Sequence, residues 1–367
     1  MNITHVEPEL IKIFSEITKI NALSQNEKPV ADYIKNFLKQ LSMEFYEDES
    51  QFVTGSNTGN VVAEINGGGD FILTSHMDTA RPTLDVKIIL DEDRITSDGN
   101  TVLGVDNRVG NTLLLALIKF IKQNKIEVKP FSVGFTVCEE TTLAGSKNIL
   151  LKDSIQYAYV FDSYLDTGYI VNQALGAVTF KYIVLGKASH SGISPEKGIN
   201  SIKIVSEILS DIQQGRIAEN TTLNIGRIEG GSAVNVVPEQ TFFEGEIRSS
   251  SKDEILLKIS ELDEKIEKVC SSYNAKFQKE VIWDFEPYNI DEESEIFKNI
   301  KSAIEQSGLE AKPTLSRGGS DANSFNARGV MALNLGIGAK NPHANDEYIL
   351  YKDFQKAFEV ALNLVKK

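Results

Sequence analysis

Cysteine is nearly absent from this sequence: Cys138 and Cys270 stand far apart and in no CxxC pair, which excludes both a disulfide framework and a thiolate metal site. A reducing compartment fits that usage. No uncharged apolar run opens the chain either. The segment MNITHVEPELIKIFSEITKI is interrupted by His5, Glu7, Glu9, Lys12 and Glu16, unlike a signal peptide or a membrane span, so a cytoplasmic protein is expected. Lysine and arginine form no basic stripe and the net charge is −14, which argues against nucleic acid or an anionic membrane as a partner. Fixed-period repeats, heptads and low-complexity tracts are missing, and histidine is scarce at four residues.

What is there is the composition of an ordinary globular protein, 41% hydrophobic and 25% charged. At 367 residues the chain exceeds the size at which one core usually stops growing, so two domains are expected. Leu10, Ile13, Phe14 and Ile17, then Val30, Ile34, Phe37 and Leu41 behind Pro29, have the spacing of two amphipathic helices. Short apolar runs at 60–65, 71–75, 131–138 and 157–161 read as strands, with helices between them, the alternation of an α/β layer fold. Near residue 176 the order changes to strand, helix, strand, strand, long helix (252–272) and strand (277–283). This is the β-α-β-β-α-β order of a ferredoxin-like unit. The α/β pattern resumes at about 289, with a strand at 330–335 and a last amphipathic helix through Phe354, Phe358 and Leu364. The expected organisation is a discontinuous domain, 1–176 with 289–367, interrupted by an inserted domain, 177–288.

Acidic residues and histidines recur just past the ends of the apolar strands, where open α/β sheets place their ligands. FILTSHMDT supplies His76 and Asp78, TVLGVDNRVG supplies Asp106, FTVCEE supplies Glu139 and Glu140, YVFDSY supplies Asp162, and NPHANDEY supplies His343. Three of these segments have a purely local alternative. Asp78 could cap a turn, Asp106 could cap the helix that follows it, and the glutamate pair could lie in a solvated loop. If that pair is buried, however, it needs a cation or a proton to offset mutual repulsion. Two histidines and several carboxylates, without sulfur, form a donor set suited to zinc, manganese or cobalt. A two-metal hydrolase needs a carboxylate shared by cations roughly 3.5 to 4 Å apart, others completing each cation, and one free carboxylate to move a proton. Jointly these residues supply every part.

In their order along the chain, HMDT, GVDNRVG, CEE, FDS, ASHSG, NVVP, EIRS, RGGSDAN and the late His343 resemble the co-catalytic di-metal peptidases, which include peptidase T, cytosolic dipeptidases, carboxypeptidase G-type enzymes and aminoacylases. TVLGVDNRVG and RGGSDAN look most like peptidase T. The resemblance implies a mixed-sheet α/β metallopeptidase catalytic domain with an inserted lid and dimerisation domain, two divalent cations with zinc first and manganese or cobalt as alternatives, short-peptide substrates and a homodimer formed through the lid. It implies Asp106 as the shared ligand, His76 and Asp162 on one metal, and Glu140 and His343 on the other. Glu139 would be the general base acting on a water between the metals, and Asp78 would orient His76. His190 of ASHSG would contact the substrate carbonyl oxygen, while Asn235 and Arg248, with Gly318 and Gly319, would grip the terminal carboxylate. For Asn235 turn chemistry, and for Arg248 an ordinary surface charge, are the competing readings. His5 is given no role, and Cys138 is read as a small buried apolar residue.

Where peptidase T has Gly-Ala-Asp-Asp-Lys this chain has Gly-Val-Asp-Asn-Arg, so Asn107 and Arg108 depart from the pattern without removing an expected ligand. A cis peptide bond is expected between Asp106 and Asn107. The activity implied is release of the N-terminal residue of tripeptides. An amidohydrolase acting on N-acyl amino acids or dipeptides, and a non-catalytic metal-stabilised dimer, are the alternatives.

Overall fold

The computed structural model describes residues 6–367, so His5 lies outside it. The chain divides into two compact units, Met1–Gln173 with Asn289–Lys367, and Ala174–Tyr288. The first junction therefore falls between Gln173 and Ala174, rather than after residue 176.

The first unit is built on a mixed sheet. Its strands run in the order Glu44–Glu47, Val61–Ile65, Phe131–Thr136, Phe71–His76, Tyr157–Ser163, Met331–Gly336 and Tyr169–Ala174. Phe71–His76 pairs in parallel with both Phe131–Thr136 and Tyr157–Ser163. Every residue of Phe71–His76 and Phe131–Thr136 is buried, as near-continuous apolar runs require when a strand is covered on both faces. The helix Val105–Asn124 packs on Phe71–His76 and against the helices Glu7–Thr18 and Tyr351–Val365. Phe14 meets Phe354 edge-on at 5.7 Å, and Phe120 meets Phe358 at 5.5 Å, which locks the helical layer.

A three-stranded sheet, Tyr348–Leu350, Arg94–Ser97 and Ile88–Leu90, went unread in the sequence. Its strands are short and partly exposed, so they show no apolar alternation to detect.

The second unit is an antiparallel sheet in the order Gly215–Ala218, Thr221–Gly230, Gln240–Ser249, Gly176–Leu185 and Lys276–Phe285. Leaving aside the small edge strand Gly215–Ala218, the four long strands have the spatial order of a ferredoxin-like unit. Val178, Phe180, Tyr182 and Val184 alternate inward along the central strand. They pack with Ile204, Val205 and Ile208 of the helix Ser201–Ser210 and Ile255, Ile259, Leu262 and Ile266 of the helix Lys252–Ser272. Asn200 and Ser251 cap these helices by accepting from the amides of Lys203 and Glu254.

Candidate metal centre

The parallel strands end together, and their last residues carry the donors. His76 closes Phe71–His76, with its Nε2 2.8 Å from Asp106 Oδ1 and 3.1 Å from Asp162 Oδ1. On the other side, His343 Nε2 lies 3.0 Å from Glu140 Oε1 and 3.3 Å from Asp106 Oδ2. Two groups able to hold a cation result, His76–Asp106–Asp162 and Asp106–Glu140–His343, and they share Asp106 through its two different oxygens.

Asp106 is placed there by an irregular helix start. Gly104, at φ +73°, leads into Val105, and the helix is kinked at Asp106 and Asn107, whose intervening peptide bond is cis. Asn107 Nδ2 donates to Asp162 Oδ1 at 2.8 Å and to the Phe161 carbonyl at 2.9 Å, fastening the kink to the neighbouring strand end. Arg108 is fully buried, and its guanidinium donates to the carbonyls of Met77 and Ile20.

Asp78 lies behind His76, within 3.3 Å of Nδ1. It also accepts from Ser24 Oγ at 2.6 Å and from the amides of Glu139 and Glu140 at 3.1 Å each, so one buried carboxylate ties the imidazole to the glutamate turn. Glu140 reaches forward into the second group, whereas Glu139, next to it, belongs to neither group.

The electrostatics of the protein alone are strained by surplus negative charge. Burial, joined by Asp162, Asp321 and Glu140, pushes Glu139 well above the usual carboxylate range. Burial raises Glu140 and Asp162 too, with Asp106 adding to it. His343 is pushed up to about 10 by its hydrogen bonds to Asp106 and Glu140. For His76, burial opposes the charge, but Asp162, Glu139 and Asp106 outweigh it and hold the imidazole well above its ordinary value. Asp106 is lowered in spite of burial by the two histidines. Oxygen and imidazole donors gathered where protons must otherwise make up the missing positive charge are a fit for divalent cations. The shared Asp106 suggests two of them.

Other candidates belong to neither group. In the second unit His190 is exposed, and its segment meets that of Asn235 through a hydrogen bond from the Ser191 amide to the Asn235 carbonyl, 3.0 Å. Asn235 is exposed as well. Arg248 is engaged by Glu246 in two 2.8 Å hydrogen bonds. Gly318 sits in a turn closed by Ser316, and Gly319 precedes Ser320, the cap of the helix Asp321–Ala327. Cys138 is buried, with Sγ 3.4 Å from Glu27.

Residues 172–275 match the peptidase dimerisation domain family. Peptidase T of Geobacillus kaustophilus is 26% identical over 87% of this chain and 79% of its own. The chain is thus similar to peptidase T. The solved structure of aminopeptidase PepT from Bacillus cereus superposes with a TM-score of 0.90 at 28% identity, covering 98% of both chains. The tripeptidase structure from Staphylococcus aureus gives the same TM-score, identity and coverage. The enzyme class these likenesses support is a peptidase hydrolase, and the motif resemblance and the α/β fold with its inserted domain hold.

Reading the sequence missed Glu347, Asn111 and Asp321. Asn111 Nδ2 holds the His76 carbonyl at 2.8 Å, and Asp321 is buried and accepts from Thr136 Oγ1 at 2.5 Å. Burial pushes Asp321 up to about 6. Glu347 and Asp321 lie inside NPHANDEY and RGGSDAN, so their acidity was visible, but their partners are far away in the chain. Asn111 carries no charge to mark it.

Proposed function

We propose that this protein is a two-metal aminopeptidase of short peptides, releasing the N-terminal residue of tripeptides. The observation that carries the reading is the Asp106 carboxylate, one oxygen directed to the His76 group and the other to the His343 group. His76 and Asp162 would hold one divalent cation and Glu140 and His343 the other, with Asp106 between them. Zinc is the preferred ion, with manganese or cobalt compatible with the same donors. When bound, such a pair supplies Lewis acidity toward the scissile carbonyl and lowers the pKa of water.

The chain's own residues do the rest. Glu139, outside both groups yet hydrogen-bonded through its amide to Asp78, takes a proton from the attacking water and passes it to the leaving amine. Asp78 orients His76 through Nδ1. His190 is assigned to the developing oxyanion. Asn235, Arg248, Gly318 and Gly319 are assigned to the substrate's terminal carboxylate, with the Glu246 pairing as the contact Arg248 would have to exchange. A cytoplasmic homodimer formed through residues 177–288 completes the proposal. Among the described residues no helix is long and apolar enough to cross a membrane.

The test is metal content together with hydrolysis of a tripeptide panel, free and N-acetylated, after reconstitution with zinc, manganese or cobalt. About two cations per chain and release of free N-terminal residues support the reading. Cleavage of N-acylated substrates alone would replace it with an amidohydrolase, and absence of tight cation binding would end it.

A further inference from the structure

Glu347 is buried to 1% exposure, yet it faces no cation among its recorded partners. Its carboxylate is held by backbone amides. Oε2 accepts from Gly104 at 2.5 Å and from Val105 at 3.4 Å, while Oε1 accepts from His343 at 2.6 Å. Gly104 and Val105 are the first residues of the helix that carries Asp106, where amides have no partner within the helix. His343 stands at φ +67°, a conformation uncommon for histidine, so its backbone needs an external hold. The backbone that carries this carboxylate is itself anchored, because Thr96 Oγ1 donates to the Glu347 main-chain carbonyl at 3.1 Å and Ser97 Oγ to that of Asn345 at 3.2 Å.

We infer that Glu347 is a positioning residue that spans the Asp106 turn and the His343 loop and so sets the separation of the ligands in the Asp106–Glu140–His343 group. The inference rests on the two-cation reading of the site. The other group shares Asp106, but on that side the turn is fastened separately by Asn107 to Asp162 and to the Phe161 carbonyl, and His76 and Asp162 come from strand ends that are registered by the sheet, so it depends far less on this span. The expected consequence is an asymmetry: loss of Glu347 weakens one cation and spares the other.

The experiment is calorimetric titration of the cation-free full chain with zinc, with thermal unfolding of each cation-free variant recorded in parallel. His343→Ala identifies the transition that belongs to its group. In Glu347→Gln, which sets an amide N–H against a backbone N–H, that transition should weaken about 10- to 100-fold while the other stays within about threefold. Glu347→Asp keeps the charge but is one methylene too short for both contacts, and it should weaken the same transition. Equal weakening at both transitions, no weakening at either, or full affinity in Glu347→Asp would overturn the inference. If the Gln variant does not fold, the Asp variant is read alone, and failure of both to fold assigns Glu347 to folding and overturns it as well. Wild-type chain taking up fewer than two cations is a separate result, seen before any variant is examined, and it removes the two-cation reading along with the inference.

Discussion

The two units spend buried volume differently. At the strand ends of the first, Asp78, Arg108, Asp321, Glu347 and Glu27 are all withdrawn from solvent and held by specific hydrogen bonds. The core of the second is apolar, and Tyr182, its polar-tipped member, places its hydroxyl on Asp263 at 2.8 Å. Its charges pair at the surface instead, as Lys181 and Arg227 do with Glu244. Buried polar groups cost desolvation that only good partners offset, while apolar burial is favourable by default. Stability in the second unit follows from its core, whereas the first carries a cluster whose carboxylates and imidazoles compensate one another incompletely.

The sharpest way to break this contrast is at Glu139. Glu139→Gln should lower kcat by about 100- to 10,000-fold, with two cations still bound and thermal unfolding little changed. A variant that retains turnover would mean that Glu139 is not the proton carrier. The mirror experiment is Phe243→Ala, which removes a buried ring stacked on Tyr182 at 5.4 Å. It should destabilise the second unit by about 3–5 kcal/mol in denaturant unfolding, leaving zinc affinity of the first unit unchanged.

Removing cations with a chelator should act only on the first unit. At a free ion concentration about 100 times the dissociation constant, each bound cation contributes about 2.7 kcal/mol. Hydrogen exchange should therefore accelerate around 76–78, 104–108 and 139–140 but not within 176–285. Acid works in the same direction. In the cation-free protein both His76 and His343 are raised, His343 to about 10, so protons compete with cations for the two imidazoles. Affinity accordingly rises with pH and falls by about tenfold per pH unit, on acidification, for each proton displaced. Titrations in buffers of different ionisation enthalpy would read the released protons directly, and a pH-independent affinity would contradict the imidazole assignment. The smallest expected effect is Tyr182→Phe, which loses only the bond to Asp263 and should cost about 0.5–1.5 kcal/mol in the second unit's stability.

Local pattern alone could reveal where chemistry-bearing residues sit. An apolar run such as FILTS ends in a polar residue at a strand's C-terminal edge, and such edges meet in an open α/β sheet, so His76, Glu139, Glu140 and Asp162 could be placed there before any coordinates. The inward alternation of Val178, Phe180, Tyr182 and Val184 similarly announces one face of a sheet. Weak elements escaped for the same reason. Ile88–Leu90 and Tyr348–Leu350 are three-residue strands without a readable period.

Tertiary structure decided which donors share a group. The separation of 203 residues between His343 and Glu140, and of 243 between Glu347 and Gly104, leaves no periodic trace in sequence. Taken alone, Asp106 reads better as a helix cap, until the kink after Gly104 turns its two oxygens toward different imidazoles. Residue type and strand register specify the donors locally. Their partnership is a long-range packing outcome, settled by buried carboxylates such as Asp78 and Glu347 that find hydrogen-bond donors only after the elements have come together.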